Sequence, residues 1–441
     1  MLPPEVILQI LDGFMTVQSS GSSRRQSLCN CCLINSGWRA VAQPLLFRDL
    51  QVVRLVPGAY QHSPCNRCQP YPAIVNSLKA LVESIDRRPE LLSYIHNVGI
   101  QDTLCWCLDH QPENLQDSGD IYIVSLLSKL AGYGCLKSIE LLYLGYRVTT
   151  ITEPPVKIKE QIQSLLALPS LVSLRMEFST YRSAYDFFHT TLTYATNLQI
   201  LDLTGVEFAE NFDDDGDTNH ANYSHAPARS IHLKTLLLMY TNLGSLTRFF
   251  DSPSCPLAFD SLERLGLAHG ILEVNSGPVE LMRIVGKNIE HLVLNCYLPE
   301  DPSVFETPTG LLTLTPSLRS LFLQNSSFIC SPLTQDTLFP HAPFKLQNIC
   351  ITFLVTIRKG RIFVDRGWQS SSLDDLFSDA QRFPNLRLVE FLAQLAGDVK
   401  HVRTKSPRVR ANLTHKVEER FPKLSAAKKL SVIFSDDSFW P

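Results

Sequence analysis

Cys65 and Cys68 form a C-x-x-C pair, and Cys105 and Cys107 form a C-x-C pair with 36 residues between the two; His62 and His110 lie close by. Four thiolates suit a tetrahedral zinc ion, but this spacing is not that of a standard zinc knuckle, and free cysteines in a loop are the other reading. Residues 211–222 (NFDDDGDTNHAN) match several positions of a calcium loop: Asn211, Asp213, Asp215, Gly216, Asp217 and Asn219. The twelfth position holds Asn222 instead of the bidentate Glu, so a solvated insertion is expected there. Among catalytic patterns, the chain has no Gly-rich phosphate loop with its Lys, no nucleophile elbow and no pair of His residues one helical turn apart. Isolated Ser, His and Asp residues read as surface or satisfied core groups. The expectation is a non-catalytic protein with no cofactor and no metal.

The elements that carry these residues follow from size and patterning. At 441 residues the chain exceeds the size one compact core serves, so two modules or an elongated repeat array are expected. Hydrophobic residues make up 44% and charged residues 19%, enough apolar material for an ordered protein. A formal charge of -3 gives no global case for nucleic acid or an anionic membrane. No apolar run reaches the roughly 18 to 20 residues of a membrane span, and Pro3, Pro4 and Glu5 do not suit a signal peptide. Cytoplasmic or nuclear residence is expected, with the twelve cysteines reduced.

One pattern recurs along the chain: apolar, two variable, apolar, one variable, apolar. Copies start at Leu136, Leu171, Leu198, Leu233, Leu262, Ile289, Leu318, Leu346 and Leu386, with an earlier one at Ile95. Successive starts from Leu136 are separated by 35, 27, 35, 29, 27, 29, 28 and 40 residues. Five of these eight steps fall between 27 and 29, near the roughly 20 to 29 residue period of leucine-rich repeats. Each copy predicts a short strand with its apolar residues turned to the core. The stretches between are long enough for helices, as at 185–197, 278–288 and 372–383. Such a unit cannot bury its own apolar face, so neighbours must stack. The position three beyond the third apolar residue holds Ser179, Val206, Thr241, Gly270, Tyr297 and Ser326 instead of the usual Asn or Cys, which predicts an irregular array.

The amino-terminal residues read differently. Leu2 to Phe14 has Pro at an acceptable helix start, Glu5 in the first turn, and apolar residues at 7, 10, 11 and 14. A polar Ser/Gly loop is predicted over 17–26, and a second helix over Leu28 to Val41. L-P-P-E near the start, L-I-N-S-G-W-R at Leu33 to Arg39 and Q-P-L-L-F-R-D-L at Gln43 to Leu50 resemble the F-box. With the repeats behind it, the chain is similar to the F-box/leucine-rich-repeat family. The resemblance implies the substrate-recognition subunit of a ubiquitin ligase, whose F-box binds a Skp-type adaptor and through it a cullin scaffold. Carried over by motif position, Leu2, Pro3, Ile7, Ile10, Leu11, Leu33, Ile34 and Trp38 would contact the adaptor. Asn35 stands where that family often has Cys, and the Ser/Gly loop is longer than usual. A generic helical cap over the repeats is the other reading of this segment.

The fold expected is therefore α/β: a short F-box-like helical module over 1–50, a connector and cap over 51–94, and an irregular leucine-rich-repeat solenoid, or horseshoe, over 95–441. Residues between the apolar anchors would line its concave face and bind a protein target. They are Glu140, Arg175, Glu177 and Asp202 at one end, Leu237, Met239, Tyr240, Arg264 and His291 in the middle, and Phe322 and Gln324 at the other end. A basic stretch from Lys400 to Lys429 reads either as a polar cap or as a site for an acidic partner.

Overall fold

A computed structural model describes residues 3–17, 21–57, 71–105, 113–142, 156–181, 184, 187–188, 191–208, 231–241, 243–253, 255–269, 277–296, 311–324, 339, 345–358, 361–364, 371–396 and 407–435. The chain divides into two compact units, Met1–Thr218 and Asn219–Pro441. Both are mixed α/β, each built on a parallel sheet.

The first unit begins with three helices, α1 (Pro4–Val17), α2 (Gly21–Ile34) and α3 (Ser36–Phe47). Ile7, Leu11, Leu28 and Ala42 form their buried centre, with Cys31, Cys32, Trp38, Val41, Leu45 and Leu46 packed around it. Two sequence expectations are corrected here. The Ser/Gly loop is helical from Gly21 onward, because the packing of Leu28 and its neighbours draws the preceding turn into the helix despite modest local propensity. The single helix predicted over 28–41 is split at Asn35, whose extended backbone and side-chain Oδ1, accepting from the Trp38 amide at 3.1 Å, start α3 afresh.

After α3 the chain enters β1 (Asp49–Pro57), followed by α4 (Tyr71–Arg87), β2 (Asn97–Cys105), α5 (Glu113–Tyr133), β3 (Ser138–Leu142), α6 (Val156–Leu166), β4 (Ser173–Glu177) and β5 (Ile200–Thr204). These strands pair in sequence order, all parallel. The stretch read as a connector thus contains a strand and a helix.

The second unit contains β6 (Thr235–Met239), α7 (Leu243–Asp251), β7 (Arg264–His269), α8 (Gly277–Val285), β8 (His291–Cys296), β9 (Ser320–Gln324), β10 (Asn348–Arg358), β11 (Arg361–Val364), α9 (Ser371–Ser378), β12 (Leu388–Ala396), α10 (Pro407–Arg420), α11 (Pro422–Ala426) and β13 (Leu430–Ser435). Six successive parallel pairings run β6-β7-β8-β9-β10-β12-β13, and β11 folds back antiparallel on β10.

The pairing follows the sequence pattern position for position. In the first unit the third motif residues Asn97, Ser138, Ser173 and Ile200 stand opposite one another; in the second, Thr235, Arg264, His291, Ser320, Asn348 and Leu388 do so. All ten predicted motif starts are buried. At the strand entrances one carbonyl accepts two amides of the next copy: His96 O takes Lys137 N and Ser138 N, and Glu263 O takes Glu290 N and His291 N. The same register exposes two further copies, Phe47 to Val52 at β1 and Ala427 to Val432 at β13.

Strand exits also share a conformation. Phe178, Gly205 and Tyr240, each at the eighth motif position, have φ of 49°, 60° and 55°. Ser179 and Thr241, the residues expected to lack the usual turn-bonding side chain, are buried, and their hydroxyls donate to Glu177 O and Met239 O at 3.2 Å. A hydroxyl thus performs locally what an amide ladder does in a regular array.

Candidate functional site

Strand alternation puts the fourth and sixth motif residues in the core and the third and fifth on the outer face; the seventh is half-buried at Glu177, Thr204 and Gln324 and buried at Met239, Ala268, Asn295 and Thr352. In the first unit that outer face is charged. Arg175, 44% exposed at the centre of β4, pairs with Glu140 at 3.2 Å on β3, with Asp202 at 3.3 Å on β5, and with Glu177 on its own strand. Gln51 on β1 crosses β2 to donate from Nε2 to Glu140 Oε2 at 3.1 Å; Gly99 lies beneath it, with no side chain in the way. Thr204 donates to Asp202 Oδ1 at 2.9 Å. Burial pushes the Glu177 and Asp202 carboxyls up against the lowering pull of Arg175, as expected when one guanidinium serves three carboxylates. Of the predicted target-binding residues, Arg175, Glu177 and Asp202 are therefore brought together.

In the second unit the outer face is apolar at its centre. Leu237, Val293, Phe322 and Cys350 occupy the fifth position on successive strands apart from β7, where Gly266 stands and Leu237 lies across it. Arg264 and His291 flank this band at the third position, both exposed. Burial and then Arg264 push the His291 imidazole down, which keeps it neutral near pH 7. Burial pushes the Cys350 thiol up to about 12, so it behaves as a small apolar side chain. Gln324, at the seventh position, keeps a buried Oε1 without a hydrogen-bond partner. Tyr240 stands 42% exposed at the exit of β6. Met239 is a correction: it is buried, as are Ala268 and Asn295 at the same motif position on the next two strands, so it cannot meet a target as placed.

On the helical module the predicted adaptor residues separate into two groups. Leu33 and Ile34 end α2 with 78% and 57% of their surface exposed, and Pro3 is exposed too. Ile7 and Leu11 are in the buried centre, where they join the helices and present nothing to a partner, which corrects their assignment as contact residues. Ile10 and Trp38 are half-buried, and Leu2 lies outside the described residues. Val6 and Leu8, not anticipated from the sequence, are exposed on α1. Ile7 and Leu11, four residues apart, form the inward stripe of α1, so a finer helical phase would have set Val6 and Leu8 outside it.

A third cluster was missed because it is buried. Arg54 on β1, only 6% exposed, contacts Asp102 Oδ2 on β2 at 3.1 Å and Asp120 Oδ1 on α5 at 3.1 Å. Burial outweighs Arg54 and raises the Asp102 carboxyl to about 6.

Among the described residues, no group of three or more His, Cys, Asp or Glu is placed to hold a metal ion, and no helix is long and apolar enough to cross a membrane. Cys65, Cys68 and Cys107 lie outside the described residues, as does the Asp-rich stretch 211–222; Cys105 is in β2, its side chain not described. No protein-family model matches the chain, and no curated protein does.

Proposed function

We propose that the chain is the non-catalytic substrate-recognition subunit of a Skp/cullin/F-box-type ubiquitin ligase. The three-helix module docks a Skp-type adaptor that links it to a cullin, and the outer sheet faces of an irregular leucine-rich-repeat solenoid bind a protein target. The observation that carries this reading is the exposure of Leu33 and Ile34 inside the L-I-N-S-G-W-R segment. Two adjacent large aliphatic side chains, more exposed than Val6 and Leu8 on the same module, are what a docking partner covers. The shared register of the repeats supports the solenoid part. The test is capture of a purified Skp-type adaptor: wild type binds, and the double variant Leu33→Asp, Ile34→Asp does not while melting at the same temperature. Failure of the wild-type chain to bind rejects the proposal.

One observation favours a second reading, in which the module only caps the repeats of a scaffold that belongs to no ligase. The carbonyl of Arg48, one residue after α3, accepts the amides of both His96 and Asn97, so the helices run straight into the first strand pair. Under this reading no adaptor is captured, and loss of the module unfolds β1 and β2.

A further inference from the structure

We propose that the outer face of β6 to β10 takes an extended segment of the target that sets one side-chain carboxylate on Arg264 and a large apolar side chain on Phe322. The proposal rests on the reading of the outer face as the target-binding surface, and it is independent of adaptor docking. It starts from charge. Across the third, fifth and seventh motif positions of these five strands, Arg264 is the single ionised side chain. The other third-position residues are Thr235, Ser320, Asn348 and the neutral His291. Arg264 is exposed and, among the described residues, has no carboxylate within ion-pair distance; the nearby Arg319 has Glu290 at 3.5 Å. An unpaired guanidinium at the edge of a neutral surface selects a carboxylate, the ion whose fork geometry it matches.

The apolar requirement comes from the fifth position. Leu237 fills the gap over Gly266, and Val293, Phe322 and Cys350 continue the band. Four strand spacings make it about 19 Å wide, with a polar row on the Arg264 side. A chain laid across the strands would cover the band with alternate side chains.

Spacing makes the proposal specific. Phe322 lies two strands from Arg264 and two residues further along its strand, which is about 10 Å by 7 Å, or about 12 Å in all. An extended peptide covers that in three to four residues. Because side chains on one face of an extended chain alternate, the recognised segment should therefore pair an acidic residue with a large apolar one four positions away.

The test is selection on the full chain from a phage-displayed library of random twelve-residue peptides whose C-termini are fused to the coat protein, so that only side-chain carboxylates are offered. Wild type is expected to enrich the acidic and apolar pair at that spacing. Arg264→Glu should enrich a basic residue at the same position. The best synthetic peptide should lose at least tenfold in affinity for Arg264→Gln and for Phe322→Ala, each checked for an unchanged melting temperature. Enrichment of the same acidic peptides by Arg264→Glu overturns the proposal, as does a wild-type selection that yields no consensus or a basic one. Peptides that lose affinity with Phe322→Ala but ignore Arg264 leave the face as the binding surface and reject the charge rule. Peptides that ignore both variants reject the face itself. The double variant Leu33→Asp, Ile34→Asp should select the same peptides as wild type, which separates this outcome from the fate of the adaptor.

Discussion

Gln51 and Glu140 hydrogen-bond at 3.1 Å across an intervening strand, and the contact exists because Gly99 occupies the place between them. A Cβ on Gly99 would lie 2.0 Å from Gln51 Oε1, but that atom is the end of a flexible side chain that can swing away. Gly99→Ala should therefore cost no more than about 1 kcal/mol, the worth of one exposed hydrogen bond, partly offset by the better strand propensity of Ala. Gly286 is the opposite case. A Cβ there would meet the backbone carbonyl of Leu314 at 2.6 Å, and main chain cannot swing aside. Gly286→Ala should destabilise by roughly 1 to 3 kcal/mol, as overpacking does. Urea denaturation of the two variants tests the ranking; a larger loss for Gly99→Ala would contradict it.

Asp374 on α9 supplies the cap that α11 lacks. Phe421 precedes that helix and has no side-chain acceptor, while Asp374, 3% exposed, accepts from Lys423 N at 2.9 Å and Leu424 N at 3.0 Å. The carboxylate meets the positive end of the helix dipole and satisfies two amides that would otherwise be unbonded. Asp374→Ala should lower stability by about 2 to 3 kcal/mol, with Asp374→Asn losing less because one acceptor remains. Equal losses for the two would show that packing, not capping, is at stake.

The repeat register was legible in the sequence because the first, fourth and sixth motif residues are all committed to the core, and a one-residue slip would turn Leu292 and Leu294 outward. The terminal copies were harder to see. At Ala427 the first anchor is a small residue, and Phe47 belongs to a helix until its last turn. On the outer face, Arg175 could be matched with Glu177 and Asp202 from spacing alone, since neighbouring copies stand in register. The burial of Met239 could not, because the same motif position is half-buried at Glu177 and Thr204 and buried at Met239, Ala268 and Asn295, a difference the motif does not encode. The Arg54 cluster joins a helix to two strands through side chains 48 and 66 residues apart, a contact no local pattern encodes.

The helical module offers a direct contrast between residues of the same chemical kind. Ile7→Ala removes a side chain 1% exposed at the meeting point of three helices and should cost about 2 to 4 kcal/mol. Leu33→Asp changes a side chain in water and should move stability by no more than about 0.5 kcal/mol. Thermal melts of the two variants measure this. A large loss for Leu33→Asp would mean that Leu33 packs within the chain and is not a docking residue.

Asp102 makes the stability of the first unit depend on pH. Its carboxyl is raised from 3.8 to about 6, chiefly by burial, so between those values the folded chain holds a proton that the unfolded chain has released. Stability from this group is therefore greatest below about pH 4, falls as pH rises toward 6, and stays level above that. A shift of about two units corresponds to roughly 3 kcal/mol across the window. Asp102→Asn keeps an oxygen for Arg54 and removes the titration. The difference between wild-type and variant unfolding free energies, measured in urea from pH 4 to 7, should change by roughly 2 to 3 kcal/mol in favour of the variant as pH rises. Subtracting the two curves cancels the contributions of Glu177 and Asp202, whose carboxyls are raised in the same sense. A flat difference curve would mean that Arg54 holds Asp102 ionised throughout, with no burial penalty left to titrate.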